Sequence, residues 1–388
     1  MIVDGRLRVS VTELQDYMRC HRKWDLTSAN RRSLMVRGAP RKELYTGSAF
    51  HHGVAAGALG YDPIASLHLW QEQETKALAR EFADQAKRGL SPAEIQTLQD
   101  GNAMAETILR HYFQRYGTEN PISKFGTYIC PEVTFRIPMD DGDLVGTVDG
   151  VADVEGEVGL VEHKTYSQKP DTSGLGHDHQ MVGYSAALAH LIRERVSLAL
   201  YDGVNKKIPK TMPVLQSGKL SRDKEKLGHV TRESYIAQVV ELGQDPEDEY
   251  YEAVIDWLTE RDDQDQTPFF TRKRVEFNRH QQQMWLENAN RVISEMAQLD
   301  PADAYPHRAW TGCWDCDVKD LCDAIDDGTD LEDLINRRYK IDTYGTQIAQ
   351  RSLTPEIVRS RSDLEAQVAK WKQLEDPSEQ GFVRKEAA

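Results

Sequence analysis

Asp149 in the run GTVDG and the pair Glu162 and Lys164 in the run VEHKT bring two carboxylates and an amine onto neighbouring stretches of chain. Both runs read as strands, so Glu162 and Lys164, two residues apart, project from the same face. Two carboxylates converging from adjacent strands form a hard oxygen site suited to Mg2+ or Mn2+. A lysine beside such an ion can orient or deprotonate a water, while the ion offsets charge developing on a phosphate. Those are the parts of a phosphodiester hydrolase. Taken alone they also suit an ordinary cross-strand salt bridge, because acids and lysines at this spacing recur in many charged sequences. Glu132 in PEVTF is either a further acid of the site or an exposed strand residue.

A second group of chemically capable residues lies outside that stretch. Of the five cysteines, Cys20 sits near the start of the chain, and Cys313, Cys316 and Cys322 form CWDCDVKDLC near its end. Thiolates at C-x2-C-x5-C spacing plus one distant Cys can close a four-ligand site that ties the two ends together. Zinc, an iron-sulfur cluster and no metal at all remain open, although a zinc ribbon usually shows two C-x2-C pairs and only one is present. Trp310, Trp314 and Leu321 could shelter such a site, and Cys130, far from the other thiols, reads as a small core residue.

The elements that must position these groups are legible in outline. A Ser/Thr cap signal followed by helical periodicity in RVSVTELQDYMRC places Cys20 at the end of a first helix. A second helix beginning near Thr46 carries His51. The polar, Ala/Glu/Gln/Leu-rich block from Tyr61 to about Tyr116 reads as a helical insertion. TYICPEVTFRIP, DLVGTVDGVADV and GEVGLVEHKTY then form an antiparallel meander, followed by a helix over about His179–Glu194 and the apolar strand VSLALYDGVN. Arg222 to Leu299 reads as helical, broken at DQDQTPFF. The charged tail holds one helix, SDLEAQVAKWKQLE, and its last dozen residues are expected to be disordered. The order strand-strand-strand-helix-strand is that of a small α/β core with helical additions.

A net charge of −15 argues against nucleic-acid binding by the whole surface, so any phosphate chain must meet cations gathered locally. The candidates are Arg22, Lys23, Lys206, Lys207, Arg272 and Lys273, with Phe269 and Phe270 placed either to stack on bases or to fill the core. No signal peptide and no run of about twenty apolar residues is present, and the expectation is a soluble, cytoplasmic protein without membrane contact. A Walker-type phosphate loop is absent, so any unwinding needs a partner.

Together the motifs resemble the PD-(D/E)XK nuclease superfamily, specifically its RecB-like branch. GSAFHHGV is similar to the family's G-x-x-x-H helix, GTVDG to its aspartate motif, VEHKT to its E-x-K motif and QMVGY to its Q-x-x-x-Y helix. The cysteine pattern resembles that of the CRISPR-associated four-cysteine exonucleases and the AddB nuclease domain. The resemblance, over about Ser10 to Cys322, implies a restriction-endonuclease-like core, a mixed central sheet flanked by helices, with an iron-sulfur clasp joining N- and C-terminal segments. It implies His51, Asp149, Glu162 and the backbone carbonyl of His163 as metal ligands, with Lys164 acting on the water. Gln180 and Tyr184 would reach toward the site, and Cys20, Cys313, Cys316 and Cys322 would hold a 4Fe-4S cluster.

The implied organisation is N-terminal helices with the first cluster Cys and motif His (1–60), the insertion (61–120), the nuclease core (121–215), a helical region (216–300), the three-Cys segment (301–329) and a charged extension (330–388). The implied activity is metal-dependent exonuclease action on single-stranded DNA ends in recombination, repair, phage replication or CRISPR adaptation, beside a helicase, recombinase or adaptation partner. A non-catalytic DNA-end or protein-interaction module, and an endonuclease of the same fold, are the competing expectations.

Overall fold

Val, Ile, Thr and Phe alternate with polar residues from Thr127 onward, and that period of two makes a half-buried strand the stable solution. The computed structural model describes residues 2–3, 6–36, 42–86, 89–306, 310–341 and 359–385. It opens with β1 (Ile2–Val3) and β2 (Arg6–Ser10), the latter not expected from sequence because RLRVS is short. Ser10 accepts the Glu13 N–H as N-cap of α1 (Val11–Arg19), and Cys20 ends that helix while its thiol accepts the Lys23 N–H of α2 (His21–Thr27). β3 (Leu34–Val36) leads to α3 (Lys42–Ala58), which carries His51 and begins earlier than Thr46. α4 (Pro63–Ala86) and α5 (Pro92–Tyr116), the second opened by a Ser91–Glu94 capping box, form the expected helical block.

β4 (Thr127–Pro138), β5 (Gly142–Val154) and β6 (Glu157–Tyr166) form an antiparallel meander; α6 (His179–Ile192) then crosses to β7 (Leu198–Asn205), which lies parallel to β6. β8 (Phe270–Glu276) pairs antiparallel with β7 at the edge. It corrects the helical reading of Arg222–Leu299 over this one stretch: in TRKRVE buried Thr271 and Val275 share one face and Arg272 takes the other, the period of a strand. The sheet is thus mixed and flanked by helices. β5 is bordered by β4 on one edge, while its other edge is taken first by β2, parallel, along Gly142–Val145 and then by β6 along Gly150–Val154. The main core lies between the sheet and α1, α6 and a later helix over Arg279–Gln298, and a second core joins α3 and α5 to β7 and β8.

α7 (Lys224–Leu227), α8 (Arg232–Glu241) and α9 (Glu249–Asp263) pack on their own apolar cluster around Tyr235, Tyr251 and Leu258. α10 (Arg279–Gln298) returns to the sheet. α11 (Trp310–Trp314), α12 (Lys319–Asp326), α13 (Leu331–Arg338) and β9 (Tyr339–Ile341) then fold back on the start of the chain, β9 pairing with β3 while Leu26 and Leu34 pack on Val318, Leu321 and Tyr339. α14 (Arg361–Lys372) buries Leu364 in the main core. The expectation of a disordered last dozen residues is corrected over 377–385. Pro377 is buried there, Phe382 stacks on Tyr61, and the Asp62 N–H donates to the Val383 carbonyl at 2.8 Å. Residues 386–388 lie outside the described residues.

Candidate active site and metal centre

The site grows from a fork in the sheet. The β5–β6 ladder ends at the pair Gly150↔Val161, after which β6 continues against β7 alone. The next rung would have paired Asp149 with Glu162. Instead the His163 N–H donates to Asp149 Oδ2 at 2.8 Å, so a carboxylate occupies the place of a backbone acceptor. On the other side of β5, Glu132 lies across from Asp149, between the pairs Pro131↔Gly150 and Val133↔Val148. Opposed residues share a face. Glu132, Asp149 and Glu162 therefore stand in a row across three strands, and Glu132 takes a left-handed backbone (φ 49°), uncommon for a residue of its kind.

His51 reaches this row from α3, its Nδ1 lying 3.2 Å from Asp149 Oδ1. Ligand atoms of His51, Glu132 and Asp149 lie within 4.8 Å of one another, a spacing one cation can bridge. His52, the alternative in the HH pair, turns away, and its Nε2 lies 2.9 Å from the Gly381 carbonyl. Lys164 Nζ lies 2.5 Å from Glu162 Oε1 and donates to Gln180 Oε1 at 2.8 Å, and Gln180 Nε2 donates to the Tyr184 hydroxyl at 3.2 Å. The structure thus brings His51, Asp149, Glu162, Lys164, Gln180 and Tyr184 together. Of the two readings open for Glu132, the structure favours the further acid of the site, since the register of the meander puts it on the same face as Asp149.

Burial makes this a strained electrostatic group. Burial and the Asp149 charge push Glu162 up to about 8, against the pull of Lys164, and burial and Asp149 push Glu132 up to about 7. Burial pulls His51 down, but Asp149, Glu132 and Glu162 outweigh it and raise the imidazole to about 9. For Asp149 burial is outweighed by His51, His163 and Lys164, and its carboxyl is held low. Glu162 Oε2 is buried without a hydrogen-bond partner among the described residues. A buried carboxylate oxygen left unpaired is costly, and a divalent cation in the row would relieve it. The donor set, carboxylates and one imidazole, fits Mg2+ or Mn2+.

Behind the row, the His163 side chain points to the opposite face. Its Nε2 lies 2.6 Å from the Tyr128 hydroxyl and its Nδ1 lies 3.2 Å from Asp202, its neighbour across the β6–β7 ladder. Arg272 Nε and Nη2 both donate to Asp202, at 2.6 and 2.9 Å, and the Tyr112 hydroxyl donates to it at 2.7 Å. This corrects the reading of Arg272 as a DNA contact, since its guanidinium is spent on a fully buried carboxylate and stacks on Tyr116. Arg22 is corrected likewise, being largely buried between Asp326, the Ala304 carbonyl and Cys322. Lys23 is paired with Asp16 at 2.7 Å, and Lys273, more open, with Asp265 at 2.9 Å. Lys206 and Lys207 follow β7, the Lys206 N–H donating to the Tyr166 carbonyl and the Lys207 N–H to Asn205. Phe269 and Phe270 are buried core residues, not stacking platforms.

The four terminal cysteines are free thiols and half-buried, while Cys130 is buried. Burial raises the Cys316 thiol, with nearby Cys20 and Cys313 adding to it. The four thiols do not form a compact ligand group. Cys20 caps α2 and Cys322 accepts from Arg22 at 3.7 Å. Trp314 is 80% exposed, whereas Leu321 is buried.

Fold and site together describe an acidic fork, with the spacing to hold a cation, on a mixed sheet flanked by helices. The family model of the PD-(D/E)XK nuclease superfamily matches residues 8–323, and the chain belongs to that superfamily of divalent-metal nucleases. Among solved structures, the crystal structure of a "Putative exonuclease" from Eubacterium rectale is 12% identical, covering 63% of this chain and 87% of its own, with a TM-score of 0.31. A likeness that slight carries no argument. No curated protein matched the sequence. Among the described residues no helix is long and apolar enough to cross a membrane.

Proposed function

We propose that this chain is a metal-dependent exonuclease acting on single-stranded DNA ends. The observation that carries the reading is the row Glu132–Asp149–Glu162, with one Glu162 oxygen buried and unpaired and His51 beside Asp149. A divalent ion bound there would polarise the scissile phosphate and lower the pKa of an attacking water. His51, Asp149 and Glu162 would hold it, with the His163 carbonyl and Glu132 completing the shell. Lys164, whose ammonium is fixed between Glu162 and Gln180, would hydrogen-bond the attacking water and stabilise charge on the phosphate oxygens. Gln180 and Tyr184 orient that lysine from one helix face. The preference for single strands and ends rests on the resemblance of GSAFHHGV, VEHKT and QMVGY to the RecB-like branch. That branch places such enzymes in recombination, repair, phage replication or CRISPR adaptation, with unwinding supplied by a partner. Exposed Lys207, just beyond β7, and partly exposed Lys273 of β8, with Lys206, are the cations we assign to the DNA strand.

A 4Fe-4S cluster on Cys20, Cys313, Cys316 and Cys322 forms part of the same proposal. It is supported by the four free thiols, their spacing and the packing of α2 against the three-Cys segment. The deciding experiment incubates the anaerobically purified chain with end-labelled linear and closed circular single-stranded DNA and Mn2+. We expect loss of label from the linear substrate only, abolished by chelator. Cutting of the circle would make the protein an endonuclease. Absence of both Mn2+ binding and cleavage would leave a non-catalytic end-binding module.

A further inference from the structure

Helix α3 carries His51, and three faces of it meet three different parts of the molecule. Residues four apart share a face. Gly47 and His51 face the site, where a Cβ on Gly47 would lie 3.3 Å from Thr165 Oγ1 of β6. Gly53 and Gly57 face α5, so closely that a Cβ would come within 2.3 Å of Leu109 and 2.8 Å of Phe113. His52, Ala56 and Leu59 form the third face, and the wall against it is the chain's C-terminal segment, beyond the region that matches the superfamily.

That wall is specific. The His52 ring stacks on Phe382 at 5.0 Å and 7°, and its Nε2–H donates to the Gly381 carbonyl at 2.9 Å. Phe382 stacks in turn on Tyr61 at 5.1 Å and 4°. The segment is anchored on both sides of the stack. The Val383 N–H donates to Ser66 Oγ at 2.9 Å, Gln73 donates to the Ser378 carbonyl at 2.9 Å, and the Tyr61 hydroxyl donates to the Trp371 carbonyl. Upstream, Arg361 is ion-paired with Asp153 on β5, the strand that carries Asp149. The segment therefore bridges the two elements that supply His51 and Asp149. Gly381 has φ +77°, and a Cβ there would sit 3.1 Å from the His52 ring.

We propose that the segment Arg361–Lys385 is a positioning element of the metal site, fixing His51 through its neighbour His52 and the stack on Phe382. A ligand tilted on its helix loses cation affinity before it loses chemistry, because groups that orient ligands typically contribute a factor of about 10 to 100 in metal binding. The proposal rests on the metal-site reading above, and direct Mn2+ titration of the full chain separates the two.

In Phe382→Ala and Gly381→Ala we expect the Mn2+ concentration for half-saturation to rise on the order of tenfold, with turnover at saturating Mn2+ returning toward the parent value. Phe382→Tyr, which keeps the stack, should restore affinity. Val239→Ala, in the separate core of α8 and α9, lowers the melting temperature and calibrates what lost stability alone does to the metal curve. Superimposable Mn2+ curves for parent and Phe382→Ala would overturn the proposal, as would an equal shift in Val239→Ala. A parent that binds no Mn2+ would sink the functional reading itself, and this one with it.

Discussion

Three acids and an imidazole crowded at one strand fork make the metal-free protein sensitive to pH, and the sign follows from each group. Glu162, raised to about 8, and Glu132, raised to about 7, stabilise the fold while protonated, so their contribution is present below the ordinary carboxylate range and is lost as pH rises through those values. His51, raised to about 9, acts in the same direction, its contribution present below the ordinary histidine value and lost as pH climbs through 9. Asp149, held low, works oppositely but only in acid, outside that window. The melting temperature of chelator-treated protein should therefore fall between about pH 5 and pH 9, and Mn2+ should raise it most at the alkaline end, where the ligands are deprotonated. A flat profile would contradict the convergence of these groups. Glu162→Gln should flatten part of the slope and, by removing an essential oxygen, lower Mn2+-dependent cleavage on the order of a hundredfold or more; calorimetry and a single-turnover assay read the two effects separately.

Strand β8 shows how one element splits its cations between two tasks. Arg272 turns to the buried Asp202, and Lys273, the next residue and so on the other face, is 42% exposed and paired with Asp265. Arg272→Ala leaves a buried carboxylate uncompensated and should cost about 3–5 kcal/mol in urea unfolding, with the salt dependence of DNA binding unchanged. Lys273→Ala should cost less than about 1 kcal/mol, yet reduce the logarithmic salt slope for single-stranded DNA by about 0.7. The opposite pattern would return Arg272 to the DNA surface. The contrast also explains what the sequence conceals. The meander was legible because Val, Ile and Thr alternate through it, and the acid–lysine row followed from that period. TRKRVE read as a basic patch in a helical region because its inward-facing positions include an arginine, whose burial depends on Asp202 and Tyr112, distant in sequence. Glu132 joined the row only through pairing register, whereas His51 was the histidine in register after GSAF, and what the sequence concealed was the C-terminal segment that covers His52.

At the scale of the whole molecule, the two ends of the superfamily region are held by ordinary protein contacts. β3 pairs with β9, Leu26 and Leu34 pack on Leu321 and Tyr339, and Arg22 spans from α2 to Asp326. The cysteine spacing pointed to that junction, but apolar burial and strand pairing were invisible in it, since LMV and YKI are too short to read as strands. A cluster at the junction would add to these contacts instead of creating them. Cys20→Ser should then lose iron, labile sulfide and visible absorption from anaerobically purified protein while remaining folded, with a lower melting temperature. Leu321→Ala, which opens a cavity in the junction itself, should destabilise by about 2–5 kcal/mol whether or not iron is present. If Cys20→Ser and the parent are equal in iron content and melting temperature, the thiols are bystanders and the apolar junction alone closes the molecule. Unfolding of Cys20→Ser outright would instead mean that the metal carries the closure and that the Leu26–Leu321 packing is its consequence.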